Sequence, residues 1–162
     1  MVIGVAIIPA LWAIFGNHVG LTIAGVSMVG ASMLILAGPD KKTALSVTLG
    51  LLLGVLWARV TMVLMGVFMP KFNADIVTFV VLFVMTALAI ILNSYVPQHI
   101  NLPSWLGGFA IASTILGPLA PEVVNTMTVQ LVIALIFGVW GVGFLSGIII
   151  GACMKAFNKN TK

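Results

Sequence analysis

Arg59 stands in the stretch GVLWARVTMVL, residues 54–64, a permanent cation among apolar side chains and two positions after Trp57. A guanidinium presents five N–H donors in a rigid fork, a surface suited to a carboxylate, a phosphate or the carbonyl of an amide. Its counter-ions are scarce, because Asp40, Asp75 and Glu122 are the whole acidic complement and all fall in expected loops. Three readings of Arg59 follow. It extends to the aqueous surface; or it is structural, donating to carbonyls at the Gly117-Pro118 break or reaching Glu122; or it lines a wet cavity and faces a small solute.

Trp57 and Trp140 fall mid-segment and each carries one indole N–H, so the pair could form a narrow constriction or simply pack. Trp105 is expected in an interfacial belt. Ser32 and Ser113 could offer hydroxyls to the same cavity or bond back to their own helix carbonyls. His18 and His99 fall in loops, where solvated side chains are expected. Cys153 is the single cysteine, which excludes an internal disulfide, and nothing near it has metal-ligand spacing. With no Ser-His pair, no metal spacing and no acid or histidine inside an apolar run, neither an enzyme nor a cofactor is expected. Proton-coupled pumping is disfavoured for the same reason.

The elements that hold these residues follow from composition. The chain has 162 residues, 62% hydrophobic and 6% charged. That is more apolar surface than one soluble core could hide, so the solvent is lipid and the chain is expected to be an all-α integral membrane protein, one domain over 1–162. The net charge of +4 comes from only seven scattered Lys and Arg, so no basic patch for nucleic acid exists.

Apolar runs fall at roughly 2–16, 20–38, 44–68, 75–93, 104–119 and 127–154, predicting six transmembrane helices. The first, MVIGVAII onward, has no positive leader region and reads as a retained span interrupted by Pro9. The fifth carries Gly107, Gly108 and Gly117-Pro118. Six crossings put Lys41, Lys42, Lys155, Lys159 and Lys162 on one side and Lys71 alone on the other. The positive-inside rule then places both termini in the cytoplasm.

A weak internal repeat runs through the chain. Ala31-Ser32 then Gly38-Pro39 is echoed by Ala112-Ser113 then Gly117-Pro118, and Gly54-Val55-Leu56-Trp57 by Gly138-Val139-Trp140. Halves of about 1–70 and 71–156, with a short tail 157–162, would hold three spans each and so be inverted, an architecture of transporters with a site near the midplane. On this alignment Trp57 and Trp140 are symmetry mates.

Small residues recur at four-residue spacing: Gly50, Gly54 and Ala58 in the third segment, and Gly143, Gly147 and Gly151 in the sixth, preceded by Ala134 and Gly138. Such stripes let another backbone approach closely, within the chain or in an oligomer. A homo-oligomer is expected. A central arginine costs an inserting helix about 2.5–3.5 kcal/mol, which the Leu, Val and Met around it offset. Arg59 lies past the middle of its segment, yet a helical side chain leans toward its own N-terminus, here away from the nearer surface.

At GVLWARV and LVIALIFGVWGV the chain resembles a family of small bacterial inner-membrane proteins grouped under a domain-of-unknown-function label. The resemblance implies a bacterial source, several spans and an inner-membrane address, and brings no activity. More loosely, six spans with tryptophan-lined constrictions are similar to the urea and amide channels. The function expected from these features is passage of a small polar solute, an uncharged amide or a small anion. The competing class is a non-transporting accessory or assembly subunit whose glycine faces grip partner helices.

Overall fold

Where no water can reach the backbone, each N–H and C=O has to be satisfied within its own segment, and the apolar runs answer this by forming helices. The structure, a computed structural model, describes residues 12, 14–16, 18, 20–38, 40–95 and 100–148. Most of the first expected span, with Pro9, lies outside the described residues, as do Pro39, His99, Gly151, Cys153 and the three C-terminal lysines. After a 3-10 turn at Ala24–Val26 come α1 (Ser27–Ala37), α2 (Lys41–Phe68), α3 (Ala74–Tyr95), α4 (Leu102–Leu116) and α5 (Pro121–Phe137). A π-helical segment, Gly138–Phe144, continues α5, so that one apolar helix runs Pro121–Ile148. No strand occurs among the described residues.

Among the described residues three helices are long and apolar enough to cross a bilayer: Lys41–Phe68, Ala74–Tyr95 and Pro121–Ile148. The second and fifth expected spans are shorter. α1 and α4 have 11 and 15 residues, about 16 and 22 Å at the α-helical rise against a hydrocarbon core of ~30 Å.

Polar side chains set the helix starts. Asp40 accepts the N–H groups of Lys42 (2.9 Å) and Thr43 (3.0 Å) and the Thr43 hydroxyl at the head of α2. Asn73 Oδ1 accepts the N–H of Asp75 (2.9 Å) ahead of α3, and Asn101 Oδ1 accepts the N–H (2.9 Å) and hydroxyl (2.8 Å) of Ser104 in α4. Pro121 opens α5, where its missing N–H costs nothing. This places Glu122 in the first turn of α5, rather than in the loop the hydropathy pattern suggests.

The chain forms two compact units, residues 1–48 with 130–162 and residues 49–129. Each draws on both sequence halves. Within the second unit, α2 meets α4 at glycines: a Cβ on Gly108 would lie 2.5 Å from the Leu51 carbonyl oxygen, and one on Gly54 would collide with that of Trp105. Within the first unit, α1 meets the end of α5 in the same way. A Cβ on Gly30 would lie 2.6 Å from the Leu135 carbonyl oxygen, and one on Gly138 would collide with that of Ser27.

The intervals match. Gly54 follows Leu51 as Gly138 follows Leu135, and Gly108 follows Trp105 as Gly30 follows Ser27. Burial repeats with them: positions 47, 50, 51, 54, 55 and 58 of α2 are buried, as are 131, 134, 135, 138, 139 and 142. Beyond the π-helical segment the match moves by one residue, so that buried Thr61 answers to buried Ser146. A π turn holds one extra residue in a helix, and here it absorbs that insertion while both flanks stay on the buried face.

On these intervals Ala31 would align with Phe109 where the sequence pairs it with Ala112, and Trp140 with Leu56, one position from Trp57.

Candidate functional site

Arg59 projects from the second half of α2 and donates from Nη2 to Asn125 Oδ1 at 2.8 Å, its one hydrogen bond among the described residues. Asn125 sits in the second turn of α5, a position that exists only because the helix begins at Pro121. Arg59 borders an open groove of about 470 Å³ within the second unit, walled by Met62 and Met65 of α2, by Met69 just past its end, and by Leu119, Pro121 and Val124.

Gly117 also borders the groove, yet the arginine bonds neither to carbonyls of the Gly117-Pro118 break nor to Glu122. The electrostatic consequence is direct. An amide oxygen satisfies one N–H but carries no net charge, so among the described residues the positive charge has no ionic partner, and most of its surroundings are apolar.

The tryptophans have other work. Trp57 Nε1 donates to the Met85 carbonyl of α3 at 2.8 Å, and Trp140 Nε1 to the Thr48 hydroxyl at 3.0 Å. Both indole donors expected at a constriction are thus spent on the protein itself, and neither residue walls the Arg59 groove. Trp105, expected at a membrane interface, is 3% exposed within the chain. Gly50 and Gly54 bring α2 against the backbone of α4 at this point, and Trp57 meets Trp105 edge to face at 5.4 Å.

Ser32 bonds back to the Val29 carbonyl (2.9 Å) and is exposed, while Ser113 Oγ is buried without a hydrogen-bond partner among the described residues. Ser27 Oγ and Trp105 Nε1, at matched positions of α1 and α4, share that condition. His18 caps the Ile14 carbonyl at 2.9 Å and is exposed. The stripe residues Gly50, Gly54, Gly138 and Gly143 are filled by the chain's own helices, so those faces are not open to another subunit. Gly147 is half-buried. No group of three or more metal-ligating side chains occurs among the described residues.

Two polar residues escaped the sequence reading. Asn125 was hidden by a helix start placed six residues too late, and only the proximity of α2 and α5 pairs it with Arg59. Gln130, inside an apolar run, ties down the preceding turn: Oε1 accepts from the Thr22 hydroxyl at 3.0 Å, and Nε2 donates to the Gly20 carbonyl at 3.2 Å. A lone amide within a span is the signal for Gln130, and proline at a first helical position the signal for the helix that carries Asn125.

With three apolar helices of bilayer length and no strand among the described residues, the chain is a helical membrane protein. Over residues 2–157 it matches the family described as "Protein of unknown function (DUF1097)", and it belongs to that family. No curated protein and no solved structure matches it, so neither comparison brings up a urea or amide channel.

Proposed function

We propose that the protein is a facilitator for a small polar solute, an amide or a small anion, built as an inverted three-plus-three repeat of six spans in a bacterial inner membrane with both termini cytoplasmic. The observation that carries the reading is the Arg59 groove, in which an arginine with one neutral partner borders a space of about 470 Å³. A cation with unfilled donors inside a span is costly unless it meets water or a ligand. In this reading Arg59, held in place by Asn125, orients the solute, and Trp57 fixes α2 against α3 so that the groove keeps its shape.

The repeat is supported by the matched contacts of Gly54 with Gly138, of Gly108 with Gly30 and of Leu51 with Leu135. The orientation is supported by the lysine distribution. The accessory-subunit reading needs glycine faces that are free to grip a partner, and four of the stripe glycines are already covered within the chain.

The test is a flux panel in proteoliposomes with urea, small amides and small carboxylates, comparing wild type with Arg59→Leu. Flux of at least one solute class that falls about tenfold or more in the variant is expected, since loss of a charged hydrogen bond is worth ~1.5–3 kcal/mol. Equal flux of every solute through both proteins, at the level of empty vesicles, removes the proposal.

A further inference from the structure

We infer that the Arg59 groove selects a monoanion with an apolar tail, its charged end on Arg59 and its tail along the methionine wall, in preference to a neutral amide of the same shape. This deepens the proposed function and rests on its solute-facing groove.

The structure itself contains the relevant comparison. The amide already bound to Arg59 is the side chain of Asn125, at 2.8 Å. It fills one position of the five-donor fork, and the guanidinium keeps its full charge. What the site lacks is a negative charge, since neither Glu122 nor any other carboxylate pairs with Arg59 among the described residues. A second amide would repeat the interaction Asn125 already makes. A carboxylate would take two N–H groups in parallel and neutralise the cation, the bidentate arrangement in which arginine differs most from lysine. Asn125 acts here only through the arginine, which its Oδ1 holds at the edge of the groove.

The rest of the groove defines the tail. Met62, Met65 and Met69 give it a flexible, polarisable wall, and Leu119, Pro121 and Val124 complete an apolar surface with no further charged group. A compact hydrophilic anion such as phosphate or sulfate would leave its remaining oxygens against methyl groups, a desolvation cost that a short alkyl chain avoids. The space of about 470 Å³ is ample for a carboxylate bearing several carbons. An acyl chain or anionic headgroup from the bilayer presents the same chemistry as a free monocarboxylate, so the experiment separates the two sources.

The full chain is placed in nanodiscs of phosphatidylcholine, and binding is measured calorimetrically for butyrate and hexanoate against butyramide and hexanamide, at neutral pH. A parallel set contains phosphatidylglycerol or added dodecanoate. Carboxylates are expected to bind about tenfold or more tightly than their amides, with affinity rising from butyrate to hexanoate, as each buried methylene adds ~0.8 kcal/mol. Arg59→Leu abolishes binding. Arg59→Lys, which keeps the charge and the fold but loses the fork, weakens it and shows that bidentate geometry matters.

Amides that bind as tightly as carboxylates overturn the inference while leaving the facilitator reading in place. Short carboxylates that fail to bind, while phosphatidylglycerol or dodecanoate binds in an Arg59-dependent way, uphold the amphiphilic anion, assign it to the bilayer and remove the solute-transport reading. Absence of binding by any of these probes to a folded protein overturns the inference, and flux measured on the same preparation reports separately on the proposed function.

Discussion

Arg59 of α2 and Asn125 of α5 are joined by a 2.8 Å hydrogen bond between a charged donor and a neutral acceptor. The relationship leaves a charge unmet at the edge of an apolar groove. It also makes Asn125 the residue on which the arginine's position depends.

Replacing Asn125 therefore has two separable outcomes. Asn125→Leu removes the acceptor and is expected to lower stability by about 1–3 kcal/mol, the usual result of orphaning a charged donor. Asn125→Asp supplies a carboxylate, so it is expected to hold or raise the melting temperature while suppressing solute binding, because the internal anion then occupies the fork. Thermal melts in detergent and binding isotherms, run on the same two variants, check both.

The glycine contacts predict a matched set of costs. Gly54→Ala and Gly138→Ala push a methyl group into the Trp105 and Ser27 carbonyls, and Gly108→Ala and Gly30→Ala into those of Leu51 and Leu135. Each is expected to destabilise by about 1–3 kcal/mol, with members of a pair alike. Gly66 has open space where its Cβ would be, so Gly66→Ala is expected to be neutral or to stabilise by up to about 1 kcal/mol through helix propensity. Unfolding of the five variants in denaturant or by heat provides the comparison.

The π-helical segment carries a sharper prediction. If one residue of Gly138–Phe144 is the insertion that separates α5 from the pattern of α2, deletion of Gly141 closes the segment into α-helix and leaves Ser146 on the buried face. The variant is expected to fold, with a melting temperature near that of wild type. Deletion of Leu52 from α2, which has no such segment, rotates the following residues by about 100° and takes Ala58 and Thr61 out of the interface. Expression and size-exclusion profiles of the two deletions distinguish the cases.

At the head of α2, Asp40 is held below its ordinary pKa first by the Thr43 hydroxyl and then by the N–H groups of Thr43 and Lys42, against the opposing effect of burial. A carboxyl group whose pKa is lower in the folded state stabilises fully above its unfolded value and loses that contribution as pH falls through the folded one. Asp40→Ala is accordingly expected to melt below wild type at neutral pH. The difference should shrink in acid as pH falls through the lowered folded-state pKa and the native carboxyl is protonated too. Melting curves of both proteins across this range test the sign.

How much of this was legible in the sequence depends on whether a feature is local. The long apolar helices were, because lipid requires helical periodicity and polar punctuation marks the ends of α2 and α3. The start of α5 was not: Pro121, Glu122 and Asn125 read as a loop by polarity, although proline at a first helical position is itself a helix signal. The Gly-Val context singled out Gly54 and Gly138, and both pack against a backbone carbonyl; Gly30 and Gly108 do the same, with no motif around them to mark it. Arg59 stood out by charge alone. Its partner did not, since a hydrogen bond between residues 66 apart depends on which helices pack, and hydropathy is silent on that. The tryptophans show the same limit: their position along the segment was readable, while the acceptors of their N–H groups, Met85 and Thr48, were set by helix packing.

Access to position 59 from water is the most direct test of the account. In a Cys153→Ser background, which removes the chain's single native cysteine, Arg59→Cys in intact proteoliposomes is exposed to a membrane-impermeant, positively charged thiol reagent. The account predicts modification, which restores a cation at this position, recovers carboxylate binding and is slowed by prior addition of hexanoate. A cysteine that stays unmodified there, while one placed at Asn73 reacts promptly, would show that neither water nor a permeant reaches the groove and would contradict it.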